Sequence, residues 1–302
     1  MRCALTDIHD DTGILLEKCR GAGVCQTLLD LLNDFFGPRH ARVVVGGSYS
    51  KILMLSNQVF QGTVLGPCMW NVFFKNVALP AMQTGGSEAK FADDLNVFHT
   101  FPWSTPNQDI EEKLKECQAD IHQWGVENRV AFGPGKEDTM IIHRRDASGQ
   151  TCKLLGALID PKLLMVEETM RICKKIRPKV KALLRTRPFY STGEMVAQFK
   201  THIWPHLECT MGAYFHAADS YLCDLDAVQQ GYVKQLRLSA EEAFLEYNFV
   251  PLRARRCIGM LGLLHKCVLG QEHHWRSSSH KPMRGPRCTG LARSFISIRG
   301  KL

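Results

Sequence analysis

The apolar and polar positions of this chain change rhythm near residue 160. Before that point, short apolar runs alternate with breaks marked by glycine and proline. After it, apolar residues recur at helical steps. Over residues 14–36, Leu15, Leu28, Leu29, Leu31 and Leu32 define one apolar side, which predicts a helix ended by Gly37-Pro38. Val43-Val44-Val45 and Ile52-Leu53-Met54-Leu55 predict strands around a Gly46-Gly47 turn. Val64, Leu65, Met69, Val72 and Phe73 are spaced for a helix over residues 64–79 that stops before Pro80. A Gly85-Gly86 linker follows. Residues 109–124 read as a helix opened by Ser104-Thr105-Pro106-Asn107, and Met140-Ile141-Ile142 and Leu154-Leu155 as further strands. Beyond Pro161, residues 167–187, 199–214, 221–238 and 244–269 are expected helices. The pattern is that of an α+β front followed by an all-helical region.

The most informative polar positions interrupt that front. In Phe91-Ala92-Asp93-Asp94, followed by Leu95 and Val97, two adjacent carboxylates fall where two short strands meet in a tight turn. An isolated Asp-Asp is ordinarily an acidic surface turn. Held together at a hairpin tip, however, the pair suits a hard divalent cation such as Mg²⁺, which takes carboxylate oxygens plus substrate phosphates. Upstream lies Phe60-Gln61-Gly62-Thr63-Val64-Leu65-Gly66-Pro67. Gly62 allows close backbone approach to a ligand, and Gln61 supplies both a donor and an acceptor. This loop opens the helix predicted over residues 64–79.

With both motifs in this order and at this distance, the chain resembles reverse transcriptases, in particular the polymerases of retrotransposons that lack long terminal repeats. Gln61-Gly62-Thr63-Val64-Leu65-Gly66-Pro67 is similar to the family's template-and-nucleotide loop, with Phe60 where proline is usual. Phe91-Ala92-Asp93-Asp94 resembles its aromatic-Ala-Asp-Asp box. Residues 42–50 resemble the strand, glycine turn and serine before the loop. Gly133-Pro134-Gly135-Lys136 resembles the block that carries a lysine, and residues 154–160 the apolar-Leu-Gly strand between palm and thumb. The resemblance runs over about residues 15–266.

It implies a right-hand polymerase palm, with a mixed or antiparallel sheet and helices on one face, then a helical thumb and extension. The implied activity is RNA-directed DNA polymerisation: deoxynucleotides are added to a DNA primer on an RNA template with two Mg²⁺ (or Mn²⁺) ions. Asp93 and Asp94 would be catalytic metal ligands, Gln61 and Gly62 would line the nascent base pair, and Lys136 would neutralise or protonate the leaving phosphates. Lys136 also reads as a solvated lysine in a Pro-Gly turn.

The third carboxylate implied by the resemblance is Asp7, in Ala4-Leu5-Thr6-Asp7-Ile8, but the Ala-Phe-Asp portion that belongs after it is missing. Asp10 and Asp11 read equally as N-cap acids. The fingers expected ahead of the palm are largely absent as well, and misplacing a nucleotide by about 1 Å can cost about a hundredfold in rate. Two other readings therefore stand beside an active polymerase. One is a non-catalytic nucleic-acid-binding retrotransposon remnant, and the other a metal-dependent hydrolase using Asp93 and Asp94.

Charge adds weight to a polyanionic partner. The 302 residues carry 38 basic and 30 acidic side chains, a net charge of +8. Arg171, Lys174, Lys175, Arg177, Lys179, Lys181, Arg185 and Arg187 fall on the helix predicted over residues 167–187, interleaved with Met170, Cys173, Ile176, Val180, Leu183 and Leu184. One face of such a helix is buried; the other would meet phosphates, with Lys174, Lys175, Arg177, Lys179 and Lys181 as the nucleic-acid-binding set. A solvated basic face reads as well from composition alone.

The expected organisation is a partial palm over residues 1–160, a basic thumb over 161–215, a helical extension over 216–270 and a disordered basic tail over 271–302. No apolar run reaches the 18 or so residues that span a bilayer, and no signal peptide is visible, so an intracellular protein, nuclear or cytoplasmic, is expected without membrane partners. Twelve cysteines include no Cys-x-x-Cys pair, which favours reduced thiols. Cys257, His265, Cys267, His273, His274, His280 and Cys288 are the best zinc alternative, at spacings that match no named module.

Overall fold

The computed structural model describes residues 11–37, 39–55, 62–83, 85–269 and 291–300. They fall into two compact units: one runs up to Ile141 and includes residues 291–300, and the other begins at Ile142. Both helices and antiparallel strands are present, so the chain is α+β.

The first unit opens with α1 (Asp11–Gly21) and α2 (Gln26–Phe35). The single helix expected over residues 14–36 is thus two, because Gly23 takes a φ of +90° between them. The apolar side survives in α2, where Leu29 and Leu32 are buried. β1 (Arg39–Ala41) pairs with β4 (Leu53–Leu55), while β2 (Val44–Val45) and β3 (Ser48–Tyr49) form a hairpin of their own. Its turn is Gly46-Gly47, with φ +55° and +81°, the double positive φ that a tight hairpin demands.

The helix expected over 64–79 is also divided, into α3 (Leu65–Phe73) and α4 (Leu79–Gln83). Pro80 does not stop it. It sits in the first turn of α4, where a missing N–H costs nothing. β5 (Ser87–Phe91) and β6 (Asp94–Pro102) form the acid-bearing hairpin, and α5 (Asn107–Glu127) then leads to β7 (Phe132–Ile142). Gly133-Pro134-Gly135-Lys136, expected in a turn, lies inside β7. Phe73, Phe74, Leu95, Val97, Ile121 and Trp124 share one core between the helices and the sheet. Lys18 of α1 clips this layer to α3: its Nζ donates to the Phe73 carbonyl at 2.8 Å and lies 4.2 Å from the Phe73 ring centre. Burial lowers its pKa to about 8.

The sheet runs in the order β5-β6-β11-β7, where β11 (Leu291–Gly300) comes from the C-terminal region. Composition assigned residues 271–302 to a disordered tail; ten of them form a strand antiparallel to β6. The apolar residues Leu291, Phe295, Ile296 and Ile298 in an otherwise Arg- and Ser-containing stretch supply the reason.

The second unit starts with β8 (Ser148–Gly149) and the β9 (Cys152–Leu154)–β10 (Ala157–Ile159) hairpin, turned by Leu155-Gly156 with φ +44° and +94°. Helices follow: α6 (Val166–Arg185), a 3₁₀ turn (Arg187–Phe189), α7 (Thr192–His202), α8 (Trp204–Glu208) and α9 (Met211–Tyr214). α10 (Asp219–Gln235), α11 (Ala240–Leu245) and α12 (Leu252–Val268) complete it. Ile176, Met195, Phe199, Tyr214, Leu225 and Tyr232 are buried together, so α6–α9 and α10 share one core across the division expected at residue 215. The unit also begins near residue 142, ahead of the boundary expected at 160.

Candidate active site

Phe91 pairs with Asp94, which leaves Ala92 and Asp93 as a two-residue turn. Ala92 holds φ +53°, a left-handed conformation that costs a non-glycine residue about 1 kcal/mol. Both acids are half-buried. Asp94 starts β6, where Leu95, Asn96 and Val97 are buried. Because side chains alternate along a strand, Leu95 and Val97 share the core-facing set, while Asp94 and Asn96 share the other.

What fixes the turn is α3. The Trp70 indole Nε1–H donates to the Ala92 carbonyl at 2.7 Å, and the ring stacks on Phe73 and Phe74 with centroids 5.9 and 5.0 Å apart. The helix that follows the Gln61-Gly62 loop is therefore bonded directly to the acid turn. Within that loop, Gly62 has φ +85°, and the Thr63 hydroxyl accepts from the Gly66 N–H at 3.2 Å, capping the start of α3. The structure brings together Asp93, Asp94 and α3. Gln61 and Asp7 lie outside the described residues. Lys136 is on the same sheet, but β11 intervenes between β7 and β6, which puts the two strands about 10 Å apart. Two contributors carried no distinctive sequence signal: Trp70, visible only as an apolar helix position, and Asn96, a polar residue inside the strand.

Two adjacent carboxylates are hard oxygen donors of the type Mg²⁺ takes, with its remaining positions filled by water and phosphate. The buried Asn96 Oδ1, on the Asp94 side of β6, has no hydrogen-bond partner among the described residues and is a further oxygen acceptor there. The donor chemistry fits the ion. Among the described residues no group of three or more His, Cys, Asp or Glu side chains could hold a metal, which leaves the acid pair without a third carboxylate and excludes a cluster of Cys257, His265 and Cys267. His273, His274, His280 and Cys288 lie outside the described residues. The ten described cysteines form no disulfide with one another.

In the second unit, α6 anchors itself through Arg171, which is half-buried. Arg171 pairs with the fully buried Glu168 at 2.7 Å and donates to the Gly156 carbonyl at 2.9 Å. Burial alone would push the Glu168 carboxyl up; hydrogen bonds from Arg171, the Leu158 N–H and the Thr210 hydroxyl outweigh it and hold the group below the ordinary carboxylate value. Lys174, Lys175, Arg177, Lys179 and Lys181 are all exposed. Lys174, Arg177 and Lys181, three and four residues apart, form one stripe; Lys175 and Lys179 form another. Lys179 Nζ lies 2.6 Å from His206 Nε2, and burial, then Lys179 and Lys175, lower the His206 pKa. No ion pair to an acid is formed by these five residues among the described residues.

No helix among the described residues is long and apolar enough to cross a membrane. No protein-family model matches the chain, and no solved structure matches it. Over 230 residues it is 24% identical to the RNA-directed DNA polymerase from mobile element jockey of Drosophila funebris. That match covers 69% of this chain and 25% of the relative, so the chain spans about a quarter of that protein's length. The likeness is distant, and what it supports is a reverse-transcriptase relationship at the level of the family.

Proposed function

We propose that this chain is a reverse-transcriptase-type protein that binds an RNA template paired with a DNA primer and adds deoxynucleotides at the Asp93–Asp94 turn. The observation that carries this reading is the Trp70–Ala92 hydrogen bond, which ties the helix after the Gln61-Gly62 loop to the acid hairpin. The distant likeness to a mobile-element polymerase points the same way. Asp93 and Asp94 would hold Mg²⁺ or Mn²⁺. When bound, the ion supplies activation of the primer hydroxyl and charge stabilisation for the departing pyrophosphate. The chain's own part is positional. The turn presents both carboxylates from one rigid hairpin, and Gly62, held at positive φ, leaves the backbone of its loop open to a base pair. The exposed basic stripes of α6 suit the phosphates of a duplex, where binding weakens steeply with salt.

Primer extension on RNA and DNA templates with Mg²⁺ or Mn²⁺ tests the reading. Asp93→Asn is expected to abolish extension, and activity that survives it removes the assignment. A second reading has an observation of its own: the Ala-Phe-Asp portion expected after Asp7 is missing from the sequence. It predicts salt-sensitive binding of primer–template without extension, and in that case Asp93→Asn leaves binding unchanged.

A further inference from the structure

In the second unit, α12 carries two apolar faces where a surface helix ordinarily carries one. Its inner face is fixed by packing. Leu252 and Arg256 are buried, and Arg256 pairs with Asp226 of α10. Met211 of α9 fills the space that a Cβ at Gly259 would need, and a Cβ at Gly212 would lie 3.6 Å from Leu263 Cδ2. At 3.6 residues per turn, a second apolar face lies about 150° around the helix from these positions. It holds Ala254, Cys257, Leu261, Leu264 and Val268. Leu261 is 66%, Leu264 53% and Val268 84% exposed, on the side where a surface helix normally sets its charges.

The steps along this outer face are three, four, three and four residues, the spacing by which two helices interlock in a coiled coil. The occupant that fits is therefore another helix. Charge narrows the choice. Arg255 is tied to Glu208 and Arg256 to Asp226 within the chain, so they do not call for an acidic partner. A second α12 laid alongside in the same direction sets Arg253 against Ile258 and Met260 against His265, and no like charges meet. Because α12 is already held to α9 and α10, pairing requires no helix to be ordered first.

We propose that the outer face of α12 is a self-association surface, on which a second copy of this chain seats the same face in a short two-helix seam. The proposal is independent of the acid-site reading. Two heptads make a small interface, so the dimer is expected to form at about 1–100 μM.

The test is sedimentation velocity of the intact chain across that range, in about 0.5 M salt so that nucleic acid held by basic residues is released. The wild type is expected to dimerise. Leu261→Glu with Leu264→Glu is expected to weaken the dimer by at least about tenfold, since pairing would bury unpaired charges. Val268→Lys, at the most exposed seam position, is expected to act in the same direction and keeps the surface testable if the double variant loses its helical circular dichroism. Leu245→Glu, 68% exposed on α11 and away from the seam, is expected to associate like the wild type. A wild type that stays monomeric throughout overturns the proposal. So does a dimer that persists in folded seam variants, or one that Leu245→Glu weakens as much as they do.

Discussion

Both units have a shared core, but the acid turn of the sheet unit stands outside its own. Tyr232 Oη donates to the Met195 carbonyl at 2.8 Å, the Tyr214 hydroxyl donates to the Leu207 carbonyl, and Phe199 packs 4.6 Å from the Tyr232 ring, all fully buried. The acid-bearing strand instead draws its neighbours from far apart in the sequence, β5 on one side and β11 on the other. Its turn is fixed to α3 by one indole hydrogen bond. The difference is what the proposed function requires: acids that are to meet a ligand cannot also be enclosed by a core.

The contrast is broken most directly by truncating each region. Phe199→Ala is expected to lower unfolding free energy by about 3–5 kcal/mol in a denaturant titration, because the site is enclosed on all sides. Phe91→Ala, beside the acids but 65% exposed, is expected to change it by less than about 0.5 kcal/mol. Equal losses would erase the distinction.

Glu168→Gln comes next, at about 2 kcal/mol, less than for a fully enclosed pair because Arg171 is partly exposed. Its pH dependence has a definite sign. The folded carboxyl lies below its unfolded value, so its contribution is complete above the unfolded pKa and fades as pH falls through the folded one. Acid titration of the wild type should therefore show a loss that Glu168→Gln lacks.

Trp70→Phe is expected to cost about 1 kcal/mol, the net worth of one hydrogen bond, while speeding exchange of the β5–β6 turn amides more than those of α10. Uniform acceleration would show the turn to be no more weakly held than the helices. A pH effect belongs to Lys18. Its amine is harder to protonate when folded, so the unfolded chain binds more protons between about pH 8 and 10.5 and stability rises across that window. The rise should flatten in Lys18→Met. The comparison with that variant is needed because Cys117, pushed up to about 11 by burial, acts in the opposite direction nearby.

The sequence made some of this legible and not the rest, for physical reasons. Local chemistry was readable: Gly46-Gly47 demanded its hairpin, and Phe91-Ala92-Asp93-Asp94 its turn, because tight turns need particular residues. The helix α6 was legible from the spacing of Cys173, Ile176 and Val180, although Met170, read into the same stripe, is exposed. Breaks inside helices were not, since Gly23 acts through a single residue within an otherwise continuous apolar stripe, and the helix expected to run up to Pro80 ends at Phe73 instead. The partner of β6 was hidden most completely. Nothing local in Leu291–Gly300 names its neighbour, and a composition rich in Arg and Ser disguised its alternation.

One consequence of the Trp70–Ala92 bond is optical. An indole whose N–H is bound to the acid turn emits light in step with that turn's geometry, and stacking on Phe73 and Phe74 keeps the ring from wandering. With the other tryptophans replaced by phenylalanine, Trp70 becomes a built-in lamp beside the carboxylates, brightening or dimming as they change company.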